Sequence, residues 1–335
     1  MQRNKRKSLI IALVAACALT LFSCSPSAAK DGEKEEEEIM PPASVTFIDV
    51  GEGDSIYASF PDGKNLLIDC GEASEKNYAN ISDAIIKSGR DDIDTLILTN
   101  AEPDHVGGAA RIINEFGVKN AYIPYIIDKT PFPAFAAALE ALEDCGAKTE
   151  ISVLGKTVSG ENYFYVFLSP RAPEVLRGAY DEFNSAKDPS EKARKNISAV
   201  VYAECFGVRF LFTGDAGKNI EEDILLNYGS GIFDKGAKRK VSLECIDFLK
   251  VADHGSSGAT GKNFASLTSP VNAVVSVGYN FGGHPSTNAL AALNEANPAY
   301  KLYRTDVTGS VFVGLEKDGR YTVKKENKNV WFIRT

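Results

Sequence analysis

Four side chains with nitrogen or oxygen donors follow one short apolar run of the sequence. The run is Leu96–Leu98, and the donors come within the next seven residues: Asn100, Glu102, Asp104 and His105. Pro103 restricts the backbone of this polar turn. Donors at this density are costly to bury unless a cation satisfies them. The stretch therefore predicts a metal-binding turn at the carboxyl end of a buried strand, just before a helix that begins near Val106.

Polar side chains follow three later apolar or glycine-rich segments in the same way. Asp215 ends the run Phe210–Thr213, Asp253 and His254 end the run Phe248–Val251, and His284 precedes a predicted helix. The chain has 3 histidines, and all of them stand in such places. A single histidine would be interpreted as structural, but three in this context favour a functional role.

The first polar turn resembles the first metal motif of the metallo-β-lactamase fold hydrolases. That motif reads Thr-His-x-His-x-Asp-His-x-Gly-Gly after a strand. Asp104, His105, Gly107 and Gly108 match it, whereas Asn100 and Glu102 stand where the first two histidines would be; Gly107 and Gly108 are expected to allow close backbone packing.

Other segments extend this resemblance to about Ser44–Val323, and they are most similar to the metallo-β-lactamase domain of ComEC-type competence proteins. The phrase from Phe47 to Gly71 matches the opening of that domain, with Glu52 in place of glutamine and Cys70 in place of glycine. The later matches are Thr213-Gly214-Asp215, the Leu-Lys-Val-x-His-His-Gly-Ser motif with Asp253 replacing its first histidine, and Gly283-His284-Pro285.

The resemblance implies a set of site residues. In the family an aspartate at the position of Asp215 bridges two metal ions. The implied catalytic residues are Glu102, Asp104 and Asp215. The implied metal ligands are Glu102, Asp104, His105, Asp215 and His254. Residues expected at the rim or against the substrate are Asn100, Asp253, Ser256 and His284. The acids Asp54 and Asp69 lie in turns, where capping of backbone amides is the favoured interpretation.

The expected cofactor is a divalent metal ion. The usual three-histidine first site cannot be assembled, because Asn100 offers only a neutral amide oxygen. Fewer imidazoles and more carboxylates shift the preference from Zn²⁺ towards Mn²⁺ or Mg²⁺. Either a non-standard or single-metal centre is retained, or the cleft no longer performs chemistry.

The implied fold is of the α/β (α+β) class: a four-layer αββα metallo-β-lactamase sandwich built from two similar halves. Apolar alternation predicts strands in both halves, and 3.6-residue spacing predicts helices over 78–88, 106–116, 132–145 and 220–226. The segment Ala172–Lys195 is polar and weakly patterned, which favours an exposed excursion between the halves.

The amino terminus is predicted to carry an export signal. Residues 1–24 combine a basic start with an apolar run of about 15 residues, which is short for a membrane span and typical of a secretory signal. The run ends in Leu21-Phe22-Ser23-Cys24, which resembles a bacterial lipobox, so Cys24 is the expected lipidation site. Ordinary cleavage near Ala28 and Ala29 is the alternative. Residues 25–43 are predicted to form an acidic flexible tether, and residues 44–335 the metallo-β-lactamase-like domain.

Composition limits the function classes. The net charge is −8, and cleavage at Cys24 would leave −12, so strong binding of long nucleic acid is not expected. The amino-terminal segment predicts an exported lipoprotein that is anchored to the membrane and faces outside the cytoplasm. Its first predicted function is metal-dependent hydrolysis, of phosphodiesterase type, of a small or polymeric phosphoester or envelope substrate. The alternative is a catalytically inactive ligand-binding lipoprotein with the same fold.

Overall fold

A computed structural model describes residues 40–175, 184, 189–229, 231–234, 239–279 and 282–326. The predicted signal peptide, Cys24 and nearly all of the acidic tether lie outside these residues. Among the residues described, no helix combines the length and the apolar character needed to cross a membrane.

The first of two large sheets has eight strands. In spatial order they are β17 (Tyr321–Lys325), β16 (Val311–Leu315), β1 (Ala43–Phe47), β2 (Ile56–Ser59), β3 (Asn65–Ile68), β4 (Ile93–Ile97), β5 (Val118–Ile123) and β6 (Lys148–Ile151). Neighbours from β17 to β3 pair antiparallel. Neighbours from β3 to β6 pair parallel, which places the carboxyl ends of β3 and β4 side by side.

The second large sheet has seven strands and the same division. In spatial order they are β15 (Lys301–Arg304), β14 (Asn272–Val275), β13 (Phe248–Lys250), β10 (Val208–Phe212), β9 (Val200–Cys205), β8 (Tyr163–Ser169) and β7 (Thr157–Gly160). Strands β15, β14, β13 and β10 are parallel, and β10 to β7 pair antiparallel. A separate hairpin joins β11 (Ile232–Asp234) to β12 (Arg239–Val241).

Nine α-helices and a short 3-10 helix, Ala252–Gly255, connect the strands within the described residues. The α-helices are α1 (Glu75–Lys87), α2 (Pro103–Val106), α3 (Ala109–Phe116), α4 (Pro133–Asp144), α5 (Glu191–Asn196), α6 (Lys218–Tyr228), α7 (Lys262–Thr268), α8 (Thr287–Ala296) and α9 (Thr305–Thr308). Their ends follow local rules. Ser74 caps α1 by accepting a hydrogen bond from the Asn77 amide, and Pro133 begins α4, where no amide donor is needed.

Three buried apolar clusters lie between four layers of secondary structure. The layers stack in the order helices, first sheet, second sheet and helices. Between the sheets lie inward-facing residues of both, such as Phe47 and Phe210. A second cluster joins α1, α3 and α4 to the outer face of the first sheet, and a third joins α6, α7 and α8 to the outer face of the second. Strand β9 shows the alternation directly, because Val201 faces the central layer and Tyr202 faces the helices. The predicted αββα sandwich is confirmed.

Element boundaries differ from the sequence prediction in one place that matters for the site. The helix predicted over 106–116 is two helices, α2 and α3, separated by Gly107 and Gly108. Both glycines stand where the backbone packs closely: a Cβ on Gly108 would lie 2.5 Å from the Cys70 oxygen, and one on Gly107 would lie 2.6 Å from the Ala73 nitrogen. The glycines allow α2 to press its first turn against the end of β3.

The predicted excursion over 172–195 also needs correction. Residues 176–183 and 185–188 lie outside the described part of the chain. Helix α5 falls at the end of this segment, however, and Ala193 is fully buried in the cluster under the first sheet's helices. The polar spacing concealed this helix because it is short and presents few apolar residues.

Candidate metal centre

The two sheets bring the carboxyl ends of four strands to one cleft. Strands β3 and β4 of the first sheet lead to Asp69 and Asn100, and β10 and β13 of the second sheet lead to Asp215 and His254. Each of these loops leaves a buried strand, so the polar side chains collect at a single edge of the sandwich. Binding residues are commonly carried on loops that a rigid scaffold positions in this way.

Four side chains offer ligand atoms within 4.8 Å of one another: Asp104, His105, Asp215 and His254. His105 Nε2 lies 2.9 Å from Asp215 Oδ2, and His254 Nε2 lies 3.2 Å from Asp104 Oδ2 and 3.5 Å from Asp215 Oδ1. Ligands bound about 2.1 Å from a shared ion are about 3.0–3.5 Å apart in octahedral or tetrahedral geometry. These three separations fit one shared ion, whereas the 3.9 Å between His105 Nε2 and Asp104 Oδ2 would have to shorten slightly.

Three of the facing atoms have no regular hydrogen bond. His105 Nε2, His254 Nε2 and Asp215 Oδ1 are buried and lack a hydrogen-bond partner among the described residues, although His105 Nε2 is close to the Asp215 carboxylate. Buried polar atoms are normally satisfied. Two imidazole nitrogens and two carboxylates form a donor set that suits a divalent transition-metal ion. The residues present thus fit the metal that the sequence predicted.

The outer nitrogens of both imidazoles are held by the protein. His105 Nδ1 lies 2.8 Å from Asp69 Oδ2, and His254 Nδ1 lies 2.7 Å from the backbone oxygen of Ser276. Thr99 secures Asp69 in turn, through its amide at 2.8 Å and its hydroxyl at 2.6 Å. Proton donation from Nδ1 leaves Nε2 as the coordinating atom, which is the arrangement that supports metal-bound histidines.

Backbone contacts fix Asp104 and His105 in the first turn of α2. The Asp54 amide donates to the Asp104 oxygen at 3.1 Å, and the Cys70 amide donates to the His105 oxygen. Gly53 makes the first contact possible, because a Cβ there would lie 2.3 Å from the Asp104 oxygen. The glycine-rich turn between β1 and β2 therefore positions two ligands of the cluster.

The loop after β13 holds His254 in an uncommon conformation. Asp253 and His254 have φ values of 51° and 52°, in the left-handed region that few non-glycine residues adopt. The Asp253 amide donates to the Gly214 oxygen at 3.0 Å, which joins this loop to the one that carries Asp215. Such strain persists only where neighbouring contacts hold it, and it is frequent at functional sites.

Charge coupling within the cluster is strong. Burial lowers the pKa of His105, but Asp215, Asp69 and Asp104 outweigh it and hold that pKa well above its ordinary value. For His254, burial is likewise opposed, by Asp215 and Asp104, and the pKa rises to about 9. Burial works to raise the pKa of Asp215, yet the two imidazoles and Lys250 bring it below its usual range.

Two buried residues were not recognised as part of the site from the sequence. Lys250 is fully buried, pairs with Asp54 at 2.5 Å and donates to the Gly214 oxygen at 3.0 Å. The Asp54 carboxylate lies 4.0 Å from His105 Nδ1 and 3.9 Å from His254 Nδ1. Asp54 is therefore not a simple turn cap as interpreted. The sequence did contain an indication of this pair, because Lys250 is a charged residue inside the apolar run Phe248–Val251. A lysine at such a position must have a buried partner.

Asp69 both caps a backbone amide, as the sequence analysis favoured, and supports the candidate site. One oxygen accepts from the Thr99 amide, as a turn acid would, and the other contacts His105. Its pKa is raised by complete burial, although His105 opposes that effect. Asp69 thus supports a ligand of the cluster without belonging to the four-residue group.

Two predicted residues of the first motif do not join the four ligands. Glu102 lines the same cleft but is outside the four-residue group, and it pairs with Arg194, with 3.4 Å between Oε1 and Nε. Burial raises the pKa of Glu102, although Arg194 opposes that effect. Asn100 accepts from the Glu102 amide at 2.8 Å and donates to Asp215 Oδ2 at 3.3 Å. Asn100 therefore orients Asp215 and closes the turn.

The predicted rim residues lie around the same cleft. Asp253 accepts from Lys195 and from the Ser256 hydroxyl. His284 Nδ1 lies 2.8 Å from Glu52 Oε1, and Glu52 Oε2 accepts from the Gly278 amide at 3.0 Å. Glu52 replaces the glutamine of the family motif, and here it orients a histidine whose ring centroid is 6.5 Å from that of His254.

The cleft has a volume of about 380 Å³. Its lining residues are Glu52, Asn100, Glu102, Asp104, Arg194, Lys195, Asp215, Asp253, His254 and His284. Two of them, Arg194 and Lys195 on α5, were missed because their segment was interpreted as an exposed excursion. The cleft is thus lined by five carboxylates, two cationic side chains, two imidazoles and one amide.

Fold and cluster define a protein of the αββα class with a candidate metal centre at one edge of the sandwich. The family model of the metallo-beta-lactamase superfamily matches residues 48–279, and the chain belongs to that superfamily. It is similar to ComE operon protein 3 of Bacillus subtilis (strain 168), with 27% identity over 285 residues. That similarity covers 80% of this chain and 32% of the relative, so the chain spans about a third of its length.

Solved structures with similar folds include two metalloproteins. Igni18, a metallo hydrolase from Ignicoccus hospitalis, is 12% identical, with a TM-score of 0.44 over 84% of this chain and 98% of that one. CmlA, a diiron β-hydroxylase from Streptomyces venezuelae, is 13% identical, with a TM-score of 0.46 over 82% of this chain and 54% of that one.

Proposed function

We propose that the protein is a metal-dependent hydrolase of phosphodiesterase type. The observation that carries the proposal is the convergence of His105 Nε2, His254 Nε2 and Asp215 Oδ1, three buried atoms without hydrogen-bond partners among the described residues, beside Asp104. A metal ion bound there would lower the pKa of a bound water and polarise the substrate oxygen.

The chain's own residues prepare this site. Asp69 and the Ser276 oxygen hold the imidazoles of His105 and His254 in one orientation. Glu52 holds His284 at the rim, where a proton on Nε2 could be delivered to a departing alkoxide. The cleft is open to solvent on one side and buried on the other, so a small ester or the end of a polymer can enter.

A phosphoester substrate is supported by the chemistry of the cleft. Arg194 and Lys195 stand beside the ligand cluster, and such cations are suited to phosphoryl oxygens. The acidic net charge of −8 argues against long nucleic acid. A small or polymeric phosphoester, or a charged envelope component, fits these conditions.

Turnover and metal content of the purified full chain test the function. Bis(p-nitrophenyl) phosphate should be hydrolysed with Mn²⁺, Zn²⁺ or Mg²⁺, and Asp215→Asn should reduce turnover by orders of magnitude. The matched control is Asp306→Asn, whose carboxylate pairs with Arg304 outside the cleft lining. A wild-type chain that neither binds metal nor turns over the ester would exclude the hydrolase and support the ligand-binding alternative.

We also propose that the protein is exported and anchored to the membrane through a lipid on Cys24. The basic start, the short apolar run and Leu21-Phe22-Ser23-Cys24 support this proposal. Mass spectrometry of the mature amino terminus in the producing cell decides it. A lipidated Cys24 is the expected result, and an unmodified terminus near Lys30 contradicts it.

A further inference from the structure

Helix α5 delivers two adjacent cations to the cleft. The Lys195 ammonium pairs with Asp253 Oδ2, and Arg194 Nε lies 3.4 Å from Glu102 Oε1. Neither side chain extends far into solvent, with 16% of Lys195 and 31% of Arg194 exposed. The aliphatic part of Lys195 packs beside Gly217, where an added Cβ would lie 3.6 Å from the lysine Cβ. The lysine head is therefore positioned by packing as well as by charge.

Each of these cations pairs with a residue at an altered position of the metal motifs. Glu102 and Asp253 each stand where the family resemblance would place a histidine. Asp253 Oδ2 already accepts from both Lys195 and the Ser256 hydroxyl. Asn100, the third altered position, uses its amide to close its own turn and to orient Asp215. All three side chains thus have protein partners in place of a second ion.

The four-residue cluster and the cation pair divide the cleft between them. Asp104, His105, Asp215 and His254 are mutually close enough for one shared ion, and neither Glu102 nor Asp253 belongs to that group. A second divalent ion beside Glu102 and Asp253 would lie against a guanidinium and an ammonium and be repelled by both. The same positive groups are favourable for an anion.

We propose that Arg194 and Lys195 take the place of a second metal ion: the centre binds one ion, and the two side chains contact the anionic oxygen of the substrate. This inference rests on the proposed function. A guanidinium has five N–H donors and an ammonium has three, so each can serve a carboxylate of the chain and an oxygen of the ligand together. The bound ion and the cation pair would then hold two oxygens of one phosphoryl group.

The first experiment counts ions and compares two esters on the full chain. Elemental analysis after loading with Mn²⁺ should give one ion per chain. The variant R194Q/K195M keeps the aliphatic stems and removes both charges. It should retain the ion, lose roughly 10- to 100-fold in kcat/KM for bis(p-nitrophenyl) phosphate, mainly through KM, and keep its activity on the neutral ester p-nitrophenyl acetate.

The matched control is R111Q/K262M. Arg111 pairs with Glu75 and Lys262 pairs with Glu295, both on exposed surfaces outside the cleft lining. This variant should match the wild type on both esters. A melting curve establishes that each variant is folded, and the single variant K195M serves if the double variant is not.

Three results would overturn the inference. They are two ions per wild-type chain, an equal loss on both esters in R194Q/K195M, or no loss on the anionic ester. If the wild type binds no metal and hydrolyses nothing, the proposed function fails, and calorimetric titration with inorganic phosphate still decides the anion site. Weaker phosphate binding by R194Q/K195M than by the control supports it, and equal binding contradicts it.

Discussion

At the scale of single residues, protons and a bound metal ion would compete for the same two nitrogens, Nε2 of His105 and Nε2 of His254. His105 and His254 face carboxylates through Nε2, and those carboxylates keep the pKa of both imidazoles above the ordinary value against the effect of burial. A protonated imidazole offsets the buried carboxylates when no metal is bound. Metal binding must displace these protons, because only a neutral imidazole is a ligand.

Metal affinity should therefore depend steeply on pH. Below the His254 pKa of about 9, apparent affinity for Mn²⁺ should rise roughly tenfold per pH unit for each proton displaced. Calorimetric titration in buffers of different ionisation enthalpy measures both affinity and proton release. Affinity that is constant between about pH 6 and 8, with no proton release, would contradict the arrangement.

The chelated protein should show the opposite trend in stability. A folded-state pKa of about 9, raised from 6.5, means that His254 contributes stability that is fully present below about pH 6.5 and is lost as the pH rises through 9. The melting temperature in EDTA should fall over this range, whereas that of the Mn²⁺-loaded protein should not. Parallel melting curves with and without metal check this directly.

Asp215 is the residue whose charge matters most to both states. Its carboxylate faces His105 and His254 and is oriented by Asn100, while the Ser198 hydroxyl accepts from its amide at 3.0 Å. Asp215→Asn should cost the metal-free protein about 3 kcal/mol, because it leaves buried imidazolium groups with fewer partners. It should also remove the metal-dependent rise in melting temperature.

Urea denaturation in EDTA gives the cost, and the half-exposed Arg304–Asp306 pair provides the comparison. Asp306→Asn should change the free energy of unfolding by no more than about 1 kcal/mol. A similar small effect for Asp215→Asn would mean that the cluster is not electrostatically coupled.

At the scale of elements, the turn between β1 and β2 acts as a support for α2. The Asp54 amide donates to the Asp104 oxygen across a gap that only a glycine at position 53 leaves open. Gly51, in the same turn, also has a positive φ, of 77°, but an added Cβ would meet nothing within 4 Å. Both glycines thus have a positive φ, 139° at Gly53 and 77° at Gly51, but only Gly53 has a close neighbour.

Gly53→Ala should be clearly worse than Gly51→Ala. The Gly51 change carries only the cost of a left-handed alanine, about 1–2 kcal/mol. The Gly53 change adds a contact of 2.3 Å with the Asp104 oxygen, which should cost about 1–3 kcal/mol more and weaken metal binding. Denaturation and metal titration of both variants test this. Equal effects would show that the close approach is unimportant.

At the scale of the whole molecule, the cluster joins the two sheets. Asp104 and His105 come from the loop after β4 of the first sheet, and Asp215 and His254 come from loops after β10 and β13 of the second. A ligand that binds only the folded state stabilises it by about 2.7 kcal/mol at a concentration of 100 times its Kd. An ion bound by these four side chains would stabilise both sheets together.

Metal removal should loosen all three loops at once. Hydrogen exchange of the chelated full chain should increase over 99–108, 213–216 and 251–256 relative to the Mn²⁺-loaded protein. The strands β16 and β17 carry none of the four ligands and provide the internal control. Faster exchange in only one sheet's loops would contradict a shared ion.

Much of the fold and part of the site could be predicted from the sequence because local rules carried the signal. Apolar alternation marks the strands, and polar residues after Leu98, Thr213 and Val251 mark strand ends. Resemblance to one family then placed these ends in the αββα sandwich, whose carboxyl edges meet. The gathering of Asp104, His105, Asp215 and His254 follows from that topology.

Tertiary structure decided which donors face one another. Glu102 and Asp104 are two residues apart, yet one pairs with Arg194 and the other joins the cluster, because α5 lies beside only the first. Lys195 and Asp253 are 58 positions apart and meet only after the sheets have stacked. Such pairings depend on distances between separate chain segments, and neither composition nor periodicity encodes them locally.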